Sequence, residues 1–152
     1  MILPDINLLL HAYNSRSPLH VAAREWWESL MTDDRSVGLP WVVVLGFIRL
    51  STYRTLATHP LSAMEACEIV ESWLARPQVS VLQPGARHAE ILCDLLRSAG
   101  TAGNLTTDAH LAALAIEHGV ELCSTDSDFA GFAGLRWHNP LRGISSQSPL
   151  GA

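Results

Sequence analysis

Apolar residues along this chain fall into short unbroken runs, separated by longer stretches in which they recur every three to four positions. Residues 1–3 predict a short strand closed by Pro4-Asp5, and residues 7–13 a brief helix. Ser17-Pro18 predicts a helix start, Ser as cap and Pro in the first turn. That helix, to about residue 31, places Val21, Ala22, Trp26, Trp27 and Leu30 at helical spacing. Residues 36–39 predict a second strand. The valines of "PWVVVLGFIRLST" (40–52) would suit a strand, but its length and Pro start favour a helix. Ser62 with Glu65 three positions later forms a capping box for a helix ending near Arg76-Pro77. A third strand is expected at 79–82, a helix at 87–99, and a glycine-containing loop at 100–106. Thr107 is expected to cap the helix "DAHLAALAIEHG", which stops at Gly119. Residues 121–124 predict a fourth strand and 135–138 a candidate fifth. Strands alternating with helices imply an α/β fold: a short central parallel sheet of four or five strands with helices on both faces. Residues 1–141 read as a single domain without repeat or linker, and the polar tail 142–152 as flexible.

Composition narrows the chemistry. The 152 residues are 48% apolar, enough to bury a sizeable core. No run reaches the roughly 18 apolar residues of a membrane span. Pro4 and Asp5 interrupt the apolar start and no basic segment precedes it, so no signal peptide is expected. Cys67, Cys93 and Cys123 are odd in number, widely spaced and set in apolar segments, which predicts buried free thiols in a reducing compartment, by default the cytoplasm. All ten positive residues are arginine. Without lysine there is no P-loop phosphate contact, no Schiff base and no phospho-receiver lysine. The net charge of −5 argues against a bulk electrostatic nucleic-acid binder, so any contact with nucleic acid falls to local arginines.

The acids are placed suggestively. In parallel α/β sheets, sites form beyond the carboxyl ends of the strands. Asp5 follows the first strand, Asp126 and Asp128 follow the fourth within "STDSDF", and Asp108 opens the helix leading into the fourth. Each has a structural alternative: Asp5 and Asp108 suit helix N-termini, Asp126 and Asp128 suit turns. Together they form an oxygen-rich set suited to Mg²⁺ or Mn²⁺.

"PDINLLLHAY", "TDAHLAALAIEHG" and "STDSDFAGF" together resemble the PIN-domain ribonucleases, specifically the VapC toxins of type II toxin–antitoxin modules, over about residues 1–141. "LPWVVVLGFIRLSTYR" and "GLRWHNPL" resemble an actinobacterial-type branch. The resemblance implies a PIN-like three-layer fold and a metal-dependent endoribonuclease that cuts structured RNA such as tRNA or rRNA. It also implies inhibition by a VapB-type antitoxin and pairing as a homodimer. It makes Asp5, Asp108 and Asp126 metal-holding catalytic acids, Asp128 an auxiliary acid, and Asn7 and Thr125 supporting residues. The family usually has a further acid on its third helix, followed three residues later by Arg. Arg49 is present here, but the acid's place falls on Gly46, and no Asp or Glu lies between Ser36 and Met64.

Arg49 and Arg54 are candidates for RNA phosphate; for Arg49 an ion pair with a site acid is an equal alternative. His110 is expected at the surface or behind the acids, with His20, Arg16 and Thr106 as weaker RNA-contact candidates. Trp26, Trp27, Trp41, Phe47 and Tyr53 are expected mostly in the core, with an aromatic groove among them for the antitoxin. A degenerate PIN domain that binds RNA or antitoxin with little cleavage is the alternative, with Gly46 its motivation. A phosphatase needing D-x-D after the first strand meets Asn7 in the second place.

Overall fold

The computed structural model describes residues 1–55, 57 and 59–142. The tail expected to be flexible falls, apart from Arg142, outside them. Five parallel strands, β1 (Ile2–Pro4), β2 (Val37–Pro40), β3 (Val79–Leu82), β4 (Glu121–Cys123) and β5 (Trp137–His138), form one sheet in the order β3-β2-β1-β4-β5. Six helices alternate with them: α1 (Ile6–Tyr13), α2 (His20–Thr32), α3 (Trp41–Thr52), α4 (Ala63–Leu74), α5 (His88–Ala99) and α6 (Thr106–His118). Right-handed crossovers explain the layers. The chain steps one way across the sheet from β1 to β3, which puts α1–α4 on one face. It then reverses to reach β4, which puts α5 and α6 on the other. None of the described helices is long and apolar enough to cross a membrane.

The central strands β1 and β2 are buried throughout, whereas β3 is partly open and β5 only two residues long. Short edges limit pairing with other chains. Between the sheet and α1–α4 lies an aromatic cluster in which the Trp73 ring packs tilted on Phe47, with centroids 4.7 Å apart, and edge-to-face on Trp27 at 5.4 Å. The Trp73 indole N–H donates to the Tyr13 hydroxyl at 3.0 Å, so the cluster joins α4 to α1 with its polar tip satisfied.

Several local expectations shift. Ser17-Pro18 forms a turn ahead of α2, because the Ser17 hydroxyl accepts from the Leu19 N–H at 3.1 Å and meets His11 Nδ1 at 2.7 Å; the helix starts at His20. Thr107 does not cap α6, which continues from a 3-10 turn (Gly103–Leu105) and begins at Thr106. The Ser62–Glu65 capping box is present. Of the five aromatics, Trp27 and Phe47 are buried and Trp26 half-buried, whereas Trp41 at the start of α3 and Tyr53 just past its end are about half exposed. Cys67 and Cys93 are exposed, not buried, on the outward faces of amphipathic helices. Cys123 alone is buried, in β4, and burial pushes its thiol up to about 12, which leaves it unreactive.

Gly46 is buried where α3 crosses the start of α1. A Cβ there would stand 2.5 Å from Ile6 Cδ1, so the missing side chain lets the two helices approach beside Asp5. Gly46→Ala gains up to about 1 kcal/mol of helix propensity against about 1–3 kcal/mol of overpacking. A net loss of stability is expected on its own. Ile6→Val, which removes the colliding methyl, should recover it in the double variant, as a four-variant cycle of urea melts will read.

Candidate active site

The sheet order reverses between β1 and β4, and the crevice beyond their carboxyl ends is the place where such folds bind ligands. Asp5 stands at the end of β1 and its N–H continues the pairing to Cys123 C=O at 2.8 Å. One carboxylate oxygen, Oδ1, accepts from the Ile6 N–H at 2.7 Å and so caps α1. The other, Oδ2, accepts from the Ser124 hydroxyl at 2.7 Å. The capping role and the site role thus coexist in one side chain.

Ser124 is the residue that sequence reasoning quoted and gave no role. It is fully buried one position past β4. Its N–H donates to His138 C=O at 3.1 Å, and its C=O accepts from the Trp137 indole at 3.2 Å. Its hydroxyl, besides donating to Asp5, accepts from the Asp126 N–H at 3.0 Å. One small residue therefore ties β1, β4 and β5 together below the acids, its backbone holding β5 and its hydroxyl the acids. The signal available in the sequence was a hydroxyl directly after an apolar strand and two positions before an acid. Thr125, half-buried, and Asn7, exposed, make no side-chain hydrogen bond among the described residues; the bracing of Asp5 comes from Ser124 and Ile6 instead.

Asp126 is held by its own turn: Oδ1 accepts from the Asp128 N–H at 2.9 Å at the start of a 3-10 turn (Ser127–Gly131). Asp108 lies in the first turn of α6, half-buried. Electrostatics show that the four acids share one neighbourhood. Burial, and then the charges of Asp5, Asp126 and Asp128, push the Asp108 carboxyl up to about 6. Burial also raises Asp5 above the ordinary carboxylate range, opposed by its bonds from Ser124 and Ile6 and reinforced by the charge of Asp126.

The donor set is all oxygen and repels itself, which fits a hard divalent cation in chemistry. Each Asp5 oxygen accepts one hydrogen bond here and keeps a free lone pair. Among the described residues, no three acidic, His or Cys side chains close tightly enough to enclose an ion as they stand. Gly46 offers no fourth helix acid, because Ile6 fills the space in front of it.

Arg49 and Arg54 are exposed and make no ion pair among the described residues, so the ion-pair alternative for Arg49 is absent from this structure. His110 turns from the acids: its Nδ1 meets His88 Nε2 at 2.9 Å between α5 and α6. His20 Nδ1 lies 3.0 Å from His11 C=O at the end of α1, while Arg16 and Thr106 are exposed.

The PIN-domain family model matches residues 2–135. Ribonuclease VapC33 of Mycobacterium tuberculosis (strain ATCC 25618 / H37Rv) is 43% identical over 142 residues, 93% of this chain and 99% of that protein. Ribonuclease VapC37 of the same strain is 42% identical over 140 residues, 92% of this chain and 97% of that protein. Among solved structures, Mycobacterium tuberculosis VapC20, a Sarcin-Ricin loop cleaving toxin, matches with a TM-score of 0.63 at 21% identity, over 90% of this chain and 99% of that one. VapBC2 from Rickettsia felis, bound to a DNA fragment from their promoter, matches with a TM-score of 0.62 at 17% identity, over 91% of this chain and 98% of that one. At these identities the two structures speak to the fold. The chain belongs to the PIN-domain family and, within it, to the VapC ribonucleases.

The raised Asp108 carboxyl has a measurable consequence. An acid whose folded pKa is raised stabilises the protein fully below its unfolded value, near 3.8, and loses that contribution as pH rises through about 6. Metal-free Asp108→Asn is therefore expected to melt above wild type at about pH 7.5, and the gap to shrink by about pH 5. Ser124→Ala strands one oxygen of a buried carboxylate, with an expected loss of about 1.5–3 kcal/mol.

Proposed function

We propose that this VapC-family chain is a divalent-metal-dependent endoribonuclease and the toxin of a toxin–antitoxin pair, cutting a phosphodiester bond in a structured RNA such as tRNA or rRNA. The observation that carries the reading is the meeting of Asp5, Asp108 and Asp126, from three separate segments, at the point where the sheet order reverses. These three would hold the cation, with Asp128 beside them. Mg²⁺, with Mn²⁺ as a substitute, supplies activation of a water nucleophile and neutralisation of the charge that builds on the scissile phosphate.

The chain's own part is positional. Ser124 and the Ile6 N–H fix the rotamer of Asp5, and the turn around Asp126 fixes the second acid. Burial and the charges of its neighbours, which raise Asp108 to about 6, are what a bound cation would offset. Arg49 and Arg54, exposed and without carboxylate partners among the described residues, would take backbone phosphates flanking the cut. The degenerate reading keeps one specific support, the packing of Gly46 on Ile6 where the family's helix acid would stand.

The net charge of −5 favours a basic protein partner over bulk RNA binding. A VapB-type antitoxin is the proposed one. A groove of about 210 Å³ lined by Leu10, Tyr13, Phe47, Leu50 and Leu61 supports it, since apolar and aromatic pockets anchor partner helices. Trp41 and Leu45, exposed one turn apart on α3, are the face we assign to a second copy in a homodimer. The cytoplasm is the proposed location.

The deciding experiment is cleavage of total tRNA and rRNA in Mg²⁺ or Mn²⁺ by protein freed of antitoxin, wild type against Asp108→Asn. Discrete fragments that require the cation are expected, and the variant should lose more than the roughly 100-fold typical of a supporting residue. Folded wild type that cuts nothing in either cation would leave the degenerate binding module standing.

A further inference from the structure

A second groove opens beside the acids. It runs between α5 and the 3-10 turn that holds Asp128, has a volume of about 370 Å³, and is floored by Leu95, Leu105, Ile116 and Phe132. That volume lies in the lower part of the range, about 300–1,000 Å³, of sites that bury small-molecule-sized groups. Its polar side chains are Asp94 and Ser98 on α5 and Asp128 in the 3-10 turn. Asp128 both lines the groove and acts by its charge on Asp108, so the groove and the acid cluster are neighbours through that residue.

The rim chemistry selects the occupant. No arginine or histidine lines the groove among the described residues, so a phosphate would meet acceptors and no cationic donor. A cationic side chain would find Asp94 already engaged, since its Oδ1 accepts from Arg97 Nη1 at 2.9 Å, and would have to compete for Asp128 with the cation proposed for the acid cluster. What remains is an apolar lining that includes the Phe132 ring, with hydrogen-bond acceptors and one hydroxyl beside it. That combination suits a flat, uncharged heteroaromatic ring whose face packs on the floor and whose amino edge donates to the rim.

We propose that the groove is a nucleobase subsite, which receives one unstacked base of the RNA next to the phosphate to be cut and makes cleavage depend on the identity of that base. The proposal rests on the nuclease reading above. It divides the labour in the usual way: exposed arginines position the backbone, and the groove reads a base.

The test uses a single-stranded oligoribonucleotide spanning the mapped cut, with an abasic sugar placed at each position in turn. At one position beside the cut, the abasic substrate should lose about 5- to 150-fold in kcat/KM, the contribution of one stacked base. Ser98→Trp, at an exposed rim position on α5, fills the groove without touching the acids. It should cut intact and abasic substrates at the same reduced rate, leaving cleavage of the abasic substrate at the wild-type level. Ala133→Trp on the opposite wall should do the same, which guards against a folding defect in either variant. An abasic penalty found nowhere, or one that survives both variants, overturns the subsite. So does a change of sedimentation coefficient or of antitoxin inhibition as the sole effect, since the groove then belongs to a second copy or to the antitoxin. If wild type cuts no RNA, the nuclease reading falls by itself. The subsite is then decided by binding, comparing the affinity of Asp108→Asn protein for oligo(C) with that for the fully abasic chain. A preference for oligo(C) abolished by Ser98→Trp supports it; equal affinities overturn it.

Discussion

Acids gathered at one end of a parallel sheet repel one another, and the hydrogen bond from Ser124 to Asp5 is what the arrangement of the rest turns on. A buried carboxylate free to rotate would swing toward water and away from its neighbours. Asp5 cannot, because each of its oxygens is held, one by a helix N-terminus and one by a hydroxyl that is itself immobile. The immobility of that hydroxyl comes from the strands. The Ser124 N–H and C=O are taken up by the two residues of β5, and its oxygen also accepts the Asp126 N–H. This gives a physical role to a two-residue edge strand that would otherwise contribute little: it locks the residue that orients the first acid and places the second.

The same neighbourhood explains Gly46. A carboxylate on the third helix would have to reach the cluster past the start of α1, and Ile6 occupies that path. Asp5 and Ile6 are adjacent, so the packing that seats α3 and the capping bond that holds Asp5 share one peptide unit. Where the sequence resemblance would put an acid, this chain packs an apolar contact that supports the first acid. The electrostatic result is one fewer repelling charge in a cluster that already pushes Asp108 to about 6.

The places of Asp5 and Asp126 in the fold were legible in the sequence because topology dictates them. Residues directly after β1 and β4 must meet where the strand order reverses, whatever their side chains do. The element pattern was legible for a related reason: each helix and strand has its own period, and Ser62 with Glu65 signals a helix start through bonds made within four residues. What stayed hidden depends on partners far away in sequence. Ser124 reads as a turn former until Asp5, 119 positions earlier, is known to face it. Ser17 resembles a cap, but His11 on the preceding helix competes for its hydroxyl. Cys67 and Cys93 sit among apolar residues yet point outward, because one step along a helix turns a side chain by 100°.

The proposed reading makes the acid cluster serve two opposed ends. In a chain of net charge −5, RNA approaches against repulsion except where a cation offsets the acids or an exposed arginine such as Arg49 or Arg54 stands. A basic segment of an antitoxin meets the opposite field and is drawn to the same acids. Catalysis and inhibition then compete for one set of charges, and the outcome is weighted by the cation. Away from the shared Asp128, the groove stands apart from that competition, because Asp94 is already paired and the apolar lining responds to shape rather than to charge. A site of that kind can set which RNA is cut without altering how tightly the acids are blocked, so target choice and inhibition are free to vary independently in this fold.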